Sequence, residues 1–187
     1  MHNSKKWIIK NKDLILKTKI FDVFNINCFL PSKKINHNFY SLELSDWINI
    51  FALTDNDKVI LVKQHRLGKD IITLEVPAGG INKDEAPEVA AKRELAEETG
   101  FTTDKIIMLK KISVNPAIQT NVCYFYLALN CKKTQKKNFD PGEEIEVVLK
   151  DKKEVFNSFH TDLIDNSLAF LSVLLARDYL KKTVIEK

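Results

Sequence analysis

An acidic helix, which we predict from about Asp84 to Thr99, is the feature that most constrains what this chain folds into. At roughly 100° of rotation per residue, Glu94, Glu97 and Glu98 lie on one face of that helix. Carboxylates three and four residues apart repel each other and destabilise a helix by about 0.2–0.5 kcal/mol per pair. Clustered oxygen ligands suit Mg²⁺, or Mn²⁺ as a substitute, and a bound cation would offset the repulsion. The helix therefore predicts a metal site.

The ends of this helix carry signals of their own. Asp84 is predicted to cap the N-terminus by accepting amide hydrogen bonds, and Pro87 is tolerated in the first turn, where its missing amide has no helical partner. Gly100 suits the left-handed conformation that ends many helices. An acidic face exposed to solvent would explain the carboxylates equally well, so the surrounding residues must distinguish the two interpretations.

Those residues follow a longer pattern. Five residues separate Gly79 from Glu85, seven more precede Arg93–Leu95, and single residues separate this run from Glu97–Glu98 and then Gly100–Phe101. The spacing resembles the defining motif of the Nudix hydrolase family. That resemblance implies an α/β/α sandwich around a mixed sheet, dependence on a divalent metal, and hydrolysis of a nucleoside diphosphate linked to another group.

The resemblance assigns roles to the motif residues. It makes Glu94 and Glu98 the main metal ligands, and Glu97 a further acid that ligates metal or orients water. The backbone carbonyl of Ala78, just before the first glycine of the motif, is a further metal ligand. Bound metal neutralises the pyrophosphate and makes water easier to deprotonate, so we expect in-line attack of water on one phosphorus with a glutamate as the base.

Four other motif residues are expected to be structural. By the same resemblance, Glu85 is an accessory carboxylate and Arg93 forms salt bridges within the motif. Gly79 and Gly100 form the turns at its two ends. These four residues hold the helix in place and are not expected to contact substrate.

Two stretches upstream of the helix, Lys63–Arg66 and Leu74–Gly79, resemble the ADP-ribose and nucleotide-sugar pyrophosphatase branch of the family. By that resemblance Arg66 contacts a substrate phosphate, and Glu75 is grouped with the substrate-binding residues. The alternative for Arg66 is a surface cation at the end of a strand. Trp47 is a candidate for stacking on a nucleobase, although a tryptophan at the start of a strand is more often a core or interface residue.

Pro116 lies fifteen positions after Phe101, where that branch tends to carry a proline, and we assign it to substrate binding. Its flank, Val114–Ala117, departs from the Ser-Pro-Gly type of turn that is usual there. We therefore expect the substrate to be ADP-ribose or a nucleoside diphosphate sugar, with base and sugar left open.

The acidic turn Asp140–Glu146 precedes a predicted strand. In that branch, such a loop often brings a further carboxylate over the metal site. Glu143 is the preferred candidate, as catalytic residue and metal ligand, and Glu144 is the alternative catalytic residue. The other interpretation is a polar loop that only leads into a strand.

The rest of the chain is rich in strand signals. We predict a hairpin within Trp7–Leu30 with its turn at Asn11–Asp13, followed by a polar loop at Pro31–Asn38. Further strands are predicted at Phe39–Glu43, Trp47–Leu53, Val59–Val62, Ile106–Ser113, Val122–Leu129 and Glu144–Val148. A short helix is predicted near Lys152–Phe159, and a last helix from about Asn166 to Lys181. The apolar stripe predicted for that last helix comprises Leu168, Leu171, Leu175 and Tyr179.

Length and composition favour one domain with additions, because 187 residues at 44% hydrophobic content suffice for one sizeable core. We expect residues 1–42 to form an N-terminal antiparallel β arm that mediates homodimerisation, as is usual in the branch that the chain resembles. Residues 43–187 then form the Nudix hydrolase domain.

Charge and cysteine content exclude several other classes. A formal net charge of +4, with both signs present, gives no reason to expect nucleic acid or membrane as a partner. Cys28, Cys123 and Cys131 are too few and too widely spaced for a disulfide framework or a cysteine zinc site. We expect a cytoplasmic protein whose partner is a small molecule linked to a nucleoside diphosphate.

Two alternatives stay open at this point. A different branch of the family would act on dinucleoside polyphosphates, coenzyme A or capped RNA. A non-catalytic nucleotide-sensing module built on the same fold is disfavoured, because this chain keeps every motif carboxylate.

Overall fold

The computed structural model describes residues 6–136 and 144–185. The chain divides into two compact units. The first, here called the N-terminal unit, comprises Met1–Asp46 and Ser113–Val122. The second, here called the core unit, comprises Trp47–Ile112 and Cys123–Lys187.

The N-terminal unit contains a three-stranded antiparallel sheet of β1 (Ile8–Lys17), β2 (Phe21–Leu30) and β3 (Ile35–Leu44), in that order. The turn between β1 and β2 is closed by Thr18, whose hydroxyl accepts the amide hydrogen bond of Phe21 at 2.9 Å. An antiparallel N-terminal sheet is therefore confirmed.

Two details of this sheet differ from the prediction. The predicted turn at Asn11–Asp13 is wrong, because these residues lie inside β1 beside a register shift between Ile9 and Asn11. The predicted loop at Pro31–Asn38 is also too long, since β3 already begins at Ile35. Pairing with β2 extends β3 through polar residues that have little strand tendency by themselves.

The core unit is built on a sheet whose path runs β11-β5-β4-β10-β8. Its strands are β4 (Trp47–Thr54), β5 (Lys58–Arg66), β6 (Ile71–Glu75), β7 (Ala78–Gly80), β8 (Phe101–Thr102), β9 (Lys105–Ser113), β10 (Val122–Lys133) and β11 (Glu146–Asp151). Strand β10 runs parallel to β4, whereas β5 runs antiparallel to β4, β6 and β11. The predicted mixed sheet is thus confirmed. The short strands β6 and β7 had not been predicted.

Helices cover both faces of this sheet. They are α1 (Pro87–Thr99), α2 (Lys152–Phe156) and α3 (Ser167–Ile185), with a 3₁₀ turn at Ser158–His160. Because side chains alternate along a strand, β4 contributes to two separate cores. Ile48 and Ile50 pack with the α1 residue Leu95, whereas Phe51 and Leu53 pack with residues of α3. The α/β/α sandwich is confirmed.

The helix ends are only partly as predicted. Gly100 ends α1 in the left-handed conformation (φ 75°), but the N-cap residue is Ala86 and no side chain caps the helix. The predicted cap Asp84 is wrong, because that residue has a left-handed backbone (φ 63°) three residues before the first helical residue. Helix α3 does begin where predicted, with the side-chain oxygen of Asn166 accepting the amide hydrogen bonds of Leu168 and Ala169, both at 3.0 Å.

The predicted apolar stripe of α3 is wrong by one position. The residues that face the sheet are Ala169, Ser172, Val173 and Ala176, and Tyr179 is 36% exposed. Small side chains let the helix approach the sheet closely, so the bulkier leucines lie at the flanks of the contact. None of the described helices is long and apolar enough to cross a membrane.

Candidate active site

Glu94 lies directly against the short strand β7. A Cβ built at Gly79 would fall well under 3.0 Å from the carboxylate atoms of Glu94, closer than real side chains come. At Gly80 a Cβ would meet nothing within 4 Å. The first glycine of the motif is therefore required because the Glu94 carboxylate occupies the space that any side chain would need.

Arg93 connects the acidic residues of the motif to one another. Its guanidinium binds Glu85 through two hydrogen bonds of 2.8 and 2.9 Å, and it also contacts Glu94 at 2.8 Å and Glu97 at 3.0 Å. A further hydrogen bond of 3.0 Å goes to the carbonyl of Gly80. The hydrogen bonds from Arg93 lower the pKa of Glu85 to about 2, and the same pairing raises the pKa of Arg93. One cation thus holds three carboxylates in place.

Glu98 is the most deeply buried acid of the helix, with 4% of its surface exposed. Its carboxylate accepts a hydrogen bond of 3.1 Å from the amide of Ala78. Glu94 and Glu98 therefore both approach β7 from the α1 side, whereas Glu97 is the most exposed of the three carboxylates, with 39% of its side chain accessible. Carboxylate oxygens are hard donors of the kind that divalent cations prefer.

Within residues 6–136 and 144–185, no three acidic, histidine or cysteine side chains are spaced closely enough to form a metal cluster by themselves. Glu94 and Glu97 are turned towards Arg93, and Glu98 towards the amide of Ala78. A metal at this place would draw on Glu94 and Glu98 together with backbone oxygen. The chemistry of the donor set fits a divalent cation.

A cavity of about 390 Å³ adjoins the same strand. Its walls come from β4, β5, β6, β7 and the start of α3; they comprise Trp47, Ile48, Asn49, Arg66, Glu75, Ala78, Gly79, Gly80, Asn166 and Leu168. Strand β7 therefore borders both the cavity and the acidic helix. Because β7 consists of alanine and two glycines, little side-chain volume separates the cavity from the acidic helix.

Arg66 is fixed on the wall of this cavity by Glu75. Two parallel hydrogen bonds of 2.8 and 2.7 Å join the guanidinium to the carboxylate. Burial alone would raise the pKa of Glu75, but hydrogen bonds from Arg66, Thr73 and Asn166 outweigh it and lower the pKa. The arginine thus presents a charge in a defined orientation, while 44% of its side chain stays exposed.

The other residues assigned from the sequence are more scattered. Trp47 lines the cavity. Pro116 belongs to the N-terminal unit and lies in an exposed turn closed by hydrogen bonds from Ile118 and Gln119 to the carbonyl of Asn115. Glu143 falls outside the described residues, and Glu144 is exposed at the start of the second described segment.

Two cavity residues were missed by the sequence interpretation. Asn166 was predicted only as the approximate start of a helix, although it lines the cavity with Arg66 and Glu75 and contributes to the lowered pKa of Glu75. Asn49 was not considered. The signal available for it was a single amide within the apolar run Trp47–Leu53, where every other residue between the two ends is hydrophobic.

Comparisons with known proteins agree with this geometry. A family model described as NUDIX domain matches residues 47–164. The ADP-ribose pyrophosphatase of Bacillus subtilis (strain 168) is 30% identical over 138 residues, which are 73% of this chain and 74% of that protein. The GDP-mannose pyrophosphatase of Enterobacter sp. (strain 638) is 29% identical over 127 residues, 63% of this chain and 66% of that protein.

The fold is also shared with a solved structure, described as an ADP compounds hydrolase. The two superpose with a TM-score of 0.84 and 21% sequence identity, and the match covers 95% of this chain and 96% of the other. At this level of identity the likeness establishes the fold.

Proposed function

This chain belongs to the Nudix domain family, and we propose that it hydrolyses the pyrophosphate bond of ADP-ribose or of a nucleoside diphosphate sugar. The products would be a nucleoside monophosphate and a sugar phosphate. One observation carries the proposal: the cavity that holds Arg66 and the carboxylates of α1 adjoin each other across β7. The relatives named ADP-ribose pyrophosphatase and GDP-mannose pyrophosphatase support the choice of substrate class.

Proteins of this family use divalent metals, and we propose Mg²⁺ for this one. The ligands would be Glu94, Glu98, the backbone carbonyl of Ala78 and Glu143. A bound cation would neutralise phosphate charge and make a water molecule easier to deprotonate. The burial of Glu98 and the close contact of Glu94 with Gly79 support the assignment, because both place acidic oxygens against the strand that borders the cavity.

The remaining side chains would bind substrate and handle the proton. Arg66, held in orientation by Glu75, would bind a phosphate of the substrate through its guanidinium. Glu97 is partly exposed beside Arg93, so it would orient the attacking water or accept its proton. Glu143 and Glu144 are the alternative bases. The water would attack one phosphorus in line with the leaving phosphate.

Two further contacts complete the proposed binding site. Trp47 would stack its ring on the nucleobase, which its position on the cavity wall supports. The assignment of Pro116 to substrate binding rests on the sequence resemblance alone.

A substrate panel tests the proposal. The protein would be incubated with Mg²⁺ and ADP-ribose, GDP-mannose, other sugar nucleotides, diadenosine polyphosphates, coenzyme A or capped RNA, followed by alkaline phosphatase. The phosphatase releases phosphate from the cleaved products, and a control without the protein measures the 3′-phosphate that it removes from intact coenzyme A. We expect release from ADP-ribose or sugar nucleotides. If these are inert while another pyrophosphate is cleaved, the assigned substrate class is wrong.

A pair of variants on one helix tests the site. Glu98→Gln removes a proposed metal ligand and should lower Mg²⁺-dependent turnover at least about 100-fold in a folded protein. Glu88→Gln is the matched control, because Glu88 is exposed on α1 and pairs only with Lys92 among the described salt bridges. Full activity of Glu98→Gln would refute the metal-site assignment.

We further propose that the protein is a cytoplasmic homodimer that pairs through its N-terminal unit. Strand β1 is exposed over its whole length and carries accessible aliphatic side chains, including Ile9 and Ile15. Light scattering on the intact chain and on an Ile9→Lys, Ile15→Lys variant would test this. A dimer of unchanged affinity in the variant would contradict pairing through β1.

A further inference from the structure

Asn49 is a buried amide in an apolar strand. It is 4% exposed, and its neighbours Ile48 and Ile50 are completely buried. A buried amide is costly unless its hydrogen bonds are made, and a leucine or valine would fill this strand position without that cost. The presence of an amide here therefore requires an explanation other than the packing of the core.

The orientation of the amide is fixed by its neighbours. Its nitrogen donates to the backbone carbonyl of Ile48 at 3.1 Å and to the sulfur of Cys123 at 3.3 Å. The Ile48 carbonyl can only accept, so the nitrogen must lie on this side and the oxygen must turn away from it. No hydrogen bond joins that oxygen to any residue that the structure describes.

The residue that carries this oxygen borders the cavity. Asn49 lines it, and the alternation of side chains puts Asn49 on the same face of β4 as Trp47, towards the start of α3. Arg66 and Leu168 contribute other parts of the same wall. The cavity therefore presents a cation, an aromatic ring and an uncharged hydrogen-bond acceptor to whatever occupies it.

The acceptor and the cation select different parts of a substrate. Phosphate oxygens are acceptors, so they suit Arg66 and are repelled by the oxygen of Asn49. The partner of Asn49 must instead be a donor on the group attached to the phosphate. Sugar hydroxyls and the amino groups of nucleobases both supply such a donor.

We propose that the side-chain oxygen of Asn49 accepts a hydrogen bond from an O–H or N–H group of the moiety attached to the pyrophosphate, and that this bond determines substrate preference. The inference rests on the proposed function, because it places a nucleoside diphosphate derivative in the cavity. A site built to accept a hydrogen bond discriminates against an analogue without the donor, since the buried acceptor is then left without a partner.

Matched substrate pairs test the inference. Wild type and Asn49→Leu would be assayed on ADP-ribose against its analogue with unsubstituted purine in place of adenine, which lacks the amino group of the base and gains no other N–H donor. The second pair is a nucleoside diphosphate sugar against its deoxysugar analogue. In wild type we expect about a tenfold preference for the donor-bearing member of one pair, expressed mainly in KM. The pair that shows the preference identifies the donor as base or sugar.

The variant should lose that preference and hydrolyse the donor-lacking member as well as wild type does. Its melting temperature should be equal or higher, because the buried amide has been removed. If Asn49→Leu does not fold, Asn49→Val replaces it in the assay, and we expect the same result. Ser172→Ala, which removes a buried hydroxyl from α3, is the control and should keep the wild-type preference.

The outcomes separate the two proposals. If wild type turns over the substrates but shows no preference in either pair, or if Asn49→Leu keeps the preference, the inference is wrong and the proposed function stands. If wild type hydrolyses none of the compounds, the proposed function is wrong. Calorimetric titration of the same pairs then decides the inference alone, because equal affinities of wild type and variant for both members would overturn it.

Discussion

Replacing Gly79 with alanine should lower the activity of the protein far more than its stability. The added Cβ would overlap the Glu94 carboxylate, with its three nearest atoms all well under 3.0 Å away. These atoms are the far end of a flexible side chain, so Glu94 should swing away while the backbone stays in place. We therefore expect a cost near the bottom of the range for overpacking, about 1 kcal/mol, which corresponds to roughly 2–4 °C in Tm.

The loss of activity should be much larger than the loss of stability. A carboxylate displaced by about 1 Å or more is no longer positioned for its ligand, and such misplacement costs about 100-fold in rate. The assay is Mg²⁺-dependent hydrolysis of ADP-ribose, with thermal unfolding followed in parallel. Gly80→Ala is the matched control, since a Cβ there meets nothing within 4 Å. If the two variants lose the same activity, the contact between Gly79 and Glu94 does not explain the glycine.

Three further predictions concern the framework of the site. Leu95→Ala removes a completely buried side chain and should destabilise the protein by about 2–5 kcal/mol in chemical denaturation, whereas Val89→Ala, at an exposed position of the same helix, should cost within about 0.5 kcal/mol. Equal costs would contradict the assigned core. Because hydrogen bonds from Arg93 hold the pKa of Glu85 at about 2, below its ordinary 4.5, the stabilisation from this carboxylate is complete above pH 4.5 and is lost as the pH falls towards 2. Unfolding free energies measured between pH 2 and 6 should therefore fall less steeply on acidification in Glu85→Gln than in wild type, and identical slopes would refute this. Asn166→Ala should cost about 1 kcal/mol through the lost helix cap and should raise KM more than it lowers kcat, because Asn166 also lines the cavity close enough to Glu75 to help lower its pKa, and Glu75 orients Arg66. Asn166→Asp keeps a capping oxygen but places a second carboxylate beside Glu75. Its stability should therefore be closer to that of wild type than the stability of Asn166→Ala, whereas its KM should stay raised.

The parts of the fold that were predictable from the sequence are those in which local signals determine the structure. Helix α1 ends at Gly100 as expected, because a left-handed residue is needed there and glycine adopts that conformation without strain. Its start was misplaced, since Asp84 has the composition of a cap but takes part in a turn that precedes the helix. Local sequence therefore gives the element and one of its ends.

The missed elements depend on contacts between distant segments. Strand β6 follows from pairing of Ile71–Glu75 with β5, and β7 from pairing of Ala78–Gly80 with β4. Neither segment has the alternating pattern of an independent strand. The buried face of α3 was missed for the same reason. Ala169 and Ala176 face the sheet because the helix lies close to it and only small side chains fit there, whereas the prediction relied on hydrophobicity.

The site shows the same division between local and distant contacts. The motif spacing identified the acidic residues of α1, but it carries no information about the group attached to the pyrophosphate. In the proposed site that information lies with Arg66, Trp47 and Asn49, which line one cavity only after β4, β5 and β6 have paired.

Strand β7 (Ala78–Gly80) lies between the acidic residues of α1 and the cavity. Ala78 and Gly79 contact the carboxylates of α1, and all three residues of the strand line the cavity. A bulky side chain at Gly79 would displace Glu94, and one directed into the cavity would take the space of the substrate. In the proposed mechanism a phosphate bound to Arg66 comes within reach of the acidic residues, and a strand with little side-chain volume allows this approach. Small residues at Ala78 and Gly79 would therefore be as much a requirement of that chemistry as the glutamates themselves.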